Sequence, residues 1–136
     1  MIFFTDENIP KNIAYMLSYF EQNYEVRAYL DYFPKGEPDI GWMRAITKWN
    51  EKLVAVCADG RILRNKVERR VLRECGFTFV YLASGWTNIP WPTYGWKIIK
   101  AWPDIVKNVE EARYPMVFEV KVASLKIQSY GRIQDL

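Results

Sequence analysis

The sequence predicts an α/β fold: a single three-layer domain with a mostly parallel, roughly five-stranded sheet flanked by helices. Three observations lead there. Short continuous apolar runs such as Leu53-Val54-Ala55-Val56-Cys57 mark strands buried on both faces, as in a parallel sheet. Longer stretches with apolar residues at helical spacing separate those runs, and the resulting β-α-β alternation calls for right-handed crossovers. The length, 136 residues at 50% hydrophobic content, suits one domain with its own core.

Each element has a local reason. Ile2-Phe3-Phe4 opens the first strand, and Asp6 and Glu7 stand at its carboxyl end. Asn8 can cap a helix and Pro10 suits its first turn. From Pro10 to Gln22 the residues Ile13, Ala14, Met16, Leu17 and Phe20 share one helical face. Glu25 to Leu30 forms a second strand, and two prolines and a glycine make Asp31 to Pro38 a loop. A second helix runs from Pro38 to about Asn50, with Asp39 in its first turn, where a negative charge suits the helix dipole. Leu53 to Cys57 is the third strand and ends at Ala58-Asp59-Gly60. Arg61 to Cys75 reads as one helix stopped by Gly76, and Phe77 to Leu82 as the fourth strand. The Ala83–Pro92 loop precedes a helix from Thr93 to Arg113, broken or kinked at Pro103. Met116 to Val122 is the fifth strand, which Ser124 to Ile127 pairs with or extends. The domain therefore covers residues 1–127, and residues 128–136 form a C-terminal tail that frays.

Composition narrows the chemistry. The chain contains no histidine, which excludes His-based acid–base catalysis, Ser-His-Asp triads and His-ligated zinc. Its two cysteines, Cys57 and Cys75, form no CxxC pattern and read as reduced core residues of a cytoplasmic protein. Asp6 and Glu7 interrupt the first apolar run too early for a signal peptide, and no stretch is long enough to span a membrane. The net charge of +3 permits a polyanionic partner without requiring one.

Three acidic positions converge in this fold. Asp6 follows the first strand, Asp39 opens the second helix and Asp59 follows the third strand. Strand carboxyl ends and helix amino ends share one edge of such a sheet, where ligands bind. Carboxylates gathered together repel unless a cation balances them, and an oxygen-only site suits Mg2+ or Mn2+. Such an ion can polarise a phosphoryl oxygen and activate water for in-line attack, chemistry that suits phosphodiester hydrolysis. The bland alternative is that each aspartate is a helix cap or a loop residue.

Thr5-Asp6-Glu7-Asn8-Ile9-Pro10 resembles the opening of a compact variant of the PIN-like domain, the ribonuclease domain of VapC-type toxins. Gly36-Glu37-Pro38-Asp39-Ile40-Gly41-Trp42 and Val54-Ala55-Val56-Cys57-Ala58-Asp59 resemble two further segments of that family. The resemblance covers residues 1–82, and the rest follows by element order. It implies a metal-dependent endoribonuclease, the toxin of a toxin–antitoxin pair, with Asp6, Asp39 and Asp59 as metal ligands. It implies RNA as substrate and a small antitoxin protein as partner; a homodimer is a separate reading, raised by the tryptophans Trp86, Trp91 and Trp96. Members of this group often carry another aspartate two positions after the third acid; here Arg61 stands there, which implies one metal or a weak or inactive site.

Other residues have two readings each. Arg61 and Arg64 can hold phosphates, whereas Lys66, Arg69, Arg70 and Arg73 either track an RNA backbone or form a solvated face. Asn8 either orients a water or caps a helix. Glu7 either joins the acidic group or points away. Trp86, Trp91 and Trp96 either stack bases, pack in the core or bind a partner. Two other function classes stand beside the nuclease: an inactive PIN-like binding module, and a phosphoacceptor receiver domain using Asp6-Glu7, Asp59, Ser84 and Lys121. The receiver pattern leaves Asp39 without a role.

Overall fold

A computed structural model describes all 136 residues. Six strands form one sheet in the order β2-β1-β3-β4-β5-β6. These are β1 (Ile2–Thr5), β2 (Glu25–Ala28), β3 (Leu53–Cys57), β4 (Thr78–Leu82), β5 (Met116–Val120) and β6 (Ile127–Arg132). The first five run parallel, and β6 pairs antiparallel with β5. Five helices flank the sheet: α1 (Lys11–Phe20), α2 (Asp39–Thr47), α3 (Arg61–Arg64), α4 (Lys66–Cys75) and α5 (Trp91–Glu111). The predicted three-layer α/β class is therefore present, with one strand more than expected.

Side-chain alternation along the strands splits the core in two. Phe3, Val54, Val56 and Val80 face α1 and α5, where Leu17, Ile98, Trp102 and Ile105 meet them. Phe4, Ala55, Cys57 and Phe79 face the other way, onto Trp42, Met43 and Ile46 of α2 and Val71 and Leu72 of α4. Both faces of β1, β3 and β4 are covered, which is why those strands read as unbroken apolar runs. Both cysteines are free. No helix is long and apolar enough to cross a membrane.

Three expectations need correction. The helix predicted over Arg61–Cys75 is two helices, because Asn65 leaves helical geometry and its side chain accepts the amide hydrogens of Val67 and Glu68. Asparagine is among the best N-caps, so the chain restarts there at a new angle. The tail from Gln128 does not fray. It supplies β6, and beyond it Ile133 is fully buried in the core that holds Phe79 and Leu72. Arg73 holds the carbonyl of Leu136. Finally, α5 starts at Trp91 and is helical to Glu111 through Pro103, so the helix is not broken there. Pro103 lies on its exposed face, where a freed carbonyl can be hydrated.

Candidate functional site

In a parallel sheet with strand order 2-1-3-4-5, the order reverses between β1 and β3, and ligands bind outside the carboxyl ends at that point. Asp6 and Asp59 follow those two strands. A cleft of about 450 Å3 opens here, lined by Asp6, Asn8, Asp39, Arg61, Asn65 and Glu68 among others.

Asp6 is 3% exposed. Its backbone amide continues the ladder by donating to the Val56 carbonyl at 3.0 Å, which fixes the side chain at the strand end. Burial pushes its carboxyl up from 3.8 to about 7, and the negative charge of Asp39 adds to that. The Asn8 side chain at 3.4 Å and the Asn8 backbone amide at 3.2 Å donate to it and oppose the rise. Asn8 thus spends its donors on Asp6.

Asp39 is the first residue of α2, after Pro38, which restricts the chain just before the helix. Its carboxylate accepts the Trp42 indole N–H at 2.9 Å, one turn along. Asp59 accepts the Arg61 amide at 2.9 Å and the Arg61 Nε at 2.6 Å. Burial acts to raise the Asp59 carboxyl, but the hydrogen bonds and charge of Arg61, with Arg64 adding to them, hold it below its ordinary value. Asp59 does not line the cleft itself; its partner Arg61 does. Arg64 is exposed and lies outside the lining.

Glu68 is the residue that sequence reasoning missed. Its Oε2 is one of two buried side-chain polar atoms in the molecule without a hydrogen-bond partner. Burial raises its carboxyl, and the charges of Asp39 and then Asp59 work in the same direction against the opposing pull of Arg61. The break at Asn65 is what turns this side chain towards the site. A sequence signal existed: Asn65 followed three residues later by Glu68 has the spacing of a helix start.

Other expected residues are placed elsewhere. Glu7 lines the cleft, yet its carboxylate accepts the Gly36 amide at 2.9 Å and ties down the loop before α2. Gly36 has φ of +79°, a conformation that favours glycine. Trp86 is fully buried and donates to the Val120 carbonyl at 3.0 Å, so it is a core residue and not a stacking surface. Ser84 and Lys121 are exposed and line no part of the cleft.

The donor set suits a hard cation: carboxylate oxygens only, one of them buried and unpartnered, around a pocket where like charges act on one another. Five acids line the cleft, Asp6, Glu7, Glu37, Asp39 and Glu68, and of these Asp6 and Glu68 are the two whose carboxyls burial and the charge of Asp39 raise. As the side chains stand, no three acids lie close enough to grip one ion, so binding requires them to draw together.

A family model described as a PIN like domain matches residues 1–84, which contain Asp6, Asp39, Asp59 and Glu68 and end just past β4. No curated protein and no solved structure matches the chain. With more than half its length matched, and with the mostly parallel sheet expected of that fold, the chain belongs to the PIN-like domain family.

Proposed function

We propose that the protein is a metal-dependent endoribonuclease that hydrolyses RNA phosphodiester bonds, and that it is the toxin of a toxin–antitoxin pair. The carrying observation is the cleft at the switch point, with Asp6, Asp39 and the orphaned Glu68 oxygen in its wall. A bound Mg2+ or Mn2+ would supply Lewis acidity to a phosphoryl oxygen and to the attacking water.

In this reading the chain's own groups divide the work. Asp6, Asp39 and Glu68 hold the cation. Burial and the charge of Asp39 raise the Asp6 carboxyl to about 7 when no cation faces it, and a bound cation would draw it down and keep it ionised as a ligand. Asn8 keeps the Asp6 carboxylate oriented. Arg61 exchanges Asp59 for a substrate phosphate, and Arg64 adds positive charge along the strand. Asp59 then holds Arg61 between turnovers, or joins the cation once Arg61 has left it. The toxin role rests on the family likeness alone, and the antitoxin would be a small protein covering the acidic edge.

The test is incubation of the purified protein with labelled RNA and Mn2+, comparing wild type with Asp6→Asn, Asp39→Asn and Asp59→Asn. Loss of cleavage in the first two supports the reading; cleavage that persists in both overturns it. The Asp59–Arg61 pair favours a second reading, a PIN-like binding module without catalysis, because it fills one acidic position with an internal cation. No products with any divalent metal would favour that module.

A further inference from the structure

Exposed aromatic side chains collect on one side of the molecule, where α5 lies beside α1. Trp91, Trp96 and Ile99 of α5 and Met16 of α1 line an open recess of about 350 Å3 there. Tyr19 and Phe20 stand one turn beyond Met16 on the same side of α1, and Pro103 stands one turn beyond Ile99 on α5. Tyr19 is 86%, Phe20 43%, Trp91 51% and Trp96 54% exposed.

The other exposed aromatic side chains are used within the chain. Tyr15 donates to Asp31, Tyr130 donates to Glu119, and Tyr32 and Tyr114 lie under the guanidinium groups of Arg27 and Arg132. On the α1–α5 face only Trp96 has such a partner, the Lys97 ammonium 5.3 Å from its ring centre, and that ammonium also donates to the Val122 carbonyl at 2.7 Å. A Cβ on Gly95 would stand 3.2 Å from Trp91 Cζ3, so a glycine seats the Trp91 indole, although glycine is unfavourable inside a helix. Aromatic side chains bury about 150–250 Å2 each, so the exposed parts of these four come to roughly 500 Å2. A contiguous apolar patch of that size usually marks an interaction surface.

We propose that this face is the interface of a homodimer, in which two copies of the chain pair about a two-fold axis. Pairing the patch with itself buries roughly 1,000 Å2 from the four aromatic residues of the two copies, the size at which an interface becomes specific, and Met16, Pro92, Ile99 and Pro103 add to it. The charges at its border also suit self-recognition. Lys100 lines the recess, and Asp104, one turn on, is exposed. Neither has an ion-pair partner in its own chain. An isologous interface brings both signs to the border from each side, so opposite charges meet across it. Lys100 is the recess's only ionisable side chain, too little positive charge to follow a phosphate backbone. None of the residues that line the acidic cleft belongs to this face, so the dimer leaves the cleft open and does not depend on the nuclease reading.

The experiment is sedimentation equilibrium of the protein across the micromolar range, read beside its tryptophan emission. The wild type should pass from monomer to dimer as concentration rises, with a blue shift in emission that Trp96→Phe reduces. Trp96→Ala and Tyr19→Ala should each weaken dimerisation by at least about tenfold, with far-ultraviolet circular dichroism unchanged because both side chains are exposed. A wild type that stays monomeric throughout overturns the inference. So does a dimer of unaltered affinity in both variants, which puts the interface elsewhere. A monomer whose emission shifts on adding an oligouridylate or anionic lipid vesicles also overturns it, and gives the face to nucleic acid or to a membrane. The nuclease reading fails separately: RNA left intact in every metal does not touch the dimer, and a monomer that cleaves RNA leaves the nuclease standing.

Discussion

Replacing Asp6 by asparagine should stabilise the metal-free protein at alkaline pH. The wild-type carboxyl is held at about 7 in the folded chain, against an ordinary value of 3.8, and the side chain is almost fully buried. Between these values the folded chain keeps a proton that the unfolded chain has released. Stability therefore falls as pH rises from about 4 to about 7, and levels off above that. Within this window each pH unit costs about 1.4 kcal/mol, so the loss is roughly 2 kcal/mol at pH 5 and roughly 4 kcal/mol at pH 8. Asparagine has the same shape, still accepts from the Asn8 amide and carries no charge. The advantage of Asp6→Asn over wild type should therefore grow by about 2–3 kcal/mol between pH 5 and pH 8, or about 6–10 °C in Tm for a domain of this size. Thermal melts of both proteins in EDTA at the two pH values measure it. Mn2+ should raise the Tm of wild type at pH 8 and leave the variant unmoved. A Tm difference that is the same at pH 5 and pH 8 would refute the assignment of a buried, proton-holding carboxyl.

Other perturbations separate the remaining parts of the account. Asn65→Ala removes the two hydrogen bonds that start α4 and should cost about 1 kcal/mol, read as a lower Tm; it should also weaken Mn2+ binding, because Glu68 depends on that helix start. Arg61→Gln releases Asp59 and should tighten Mn2+ binding several-fold in a direct titration, even if it slows RNA cleavage by removing a phosphate contact. Ile133→Ala should destabilise by about 2–4 kcal/mol in urea unfolding, since Ile133 is fully buried; a frayed terminus would show no change.

The sequence made the middle of the sheet legible and its edge illegible, for a physical reason. β1, β3 and β4 are covered on both faces, so their composition alone marks them, and the positions of Asp6 after β1 and Asp59 after β3 follow from element order. β6 is an edge strand whose Gln128, Ser129 and Tyr130 are all exposed, so it leaves no apolar pattern to find. Glu68 was hidden by a correct local observation, since its neighbours do form a charged helix face. Only the restart at Asn65 aims it inward, and that was decided by one capping side chain. Trp86 illustrates the converse. Its loop is full of turn formers, yet the indole is drawn under β5 because its N–H reaches the Val120 carbonyl there.

The central claim is that Asp6, Asp39 and Glu68 close around one divalent cation at the reversal point of the sheet. Its most direct test is a Mn2+ titration followed by electron paramagnetic resonance, with wild type, Asp6→Asn, Asp39→Asn and Glu68→Gln all verified as folded. One bound ion per chain, with affinity lowered at least about tenfold in each variant, is the predicted result. Wild-type affinity and stoichiometry in all three variants would contradict it.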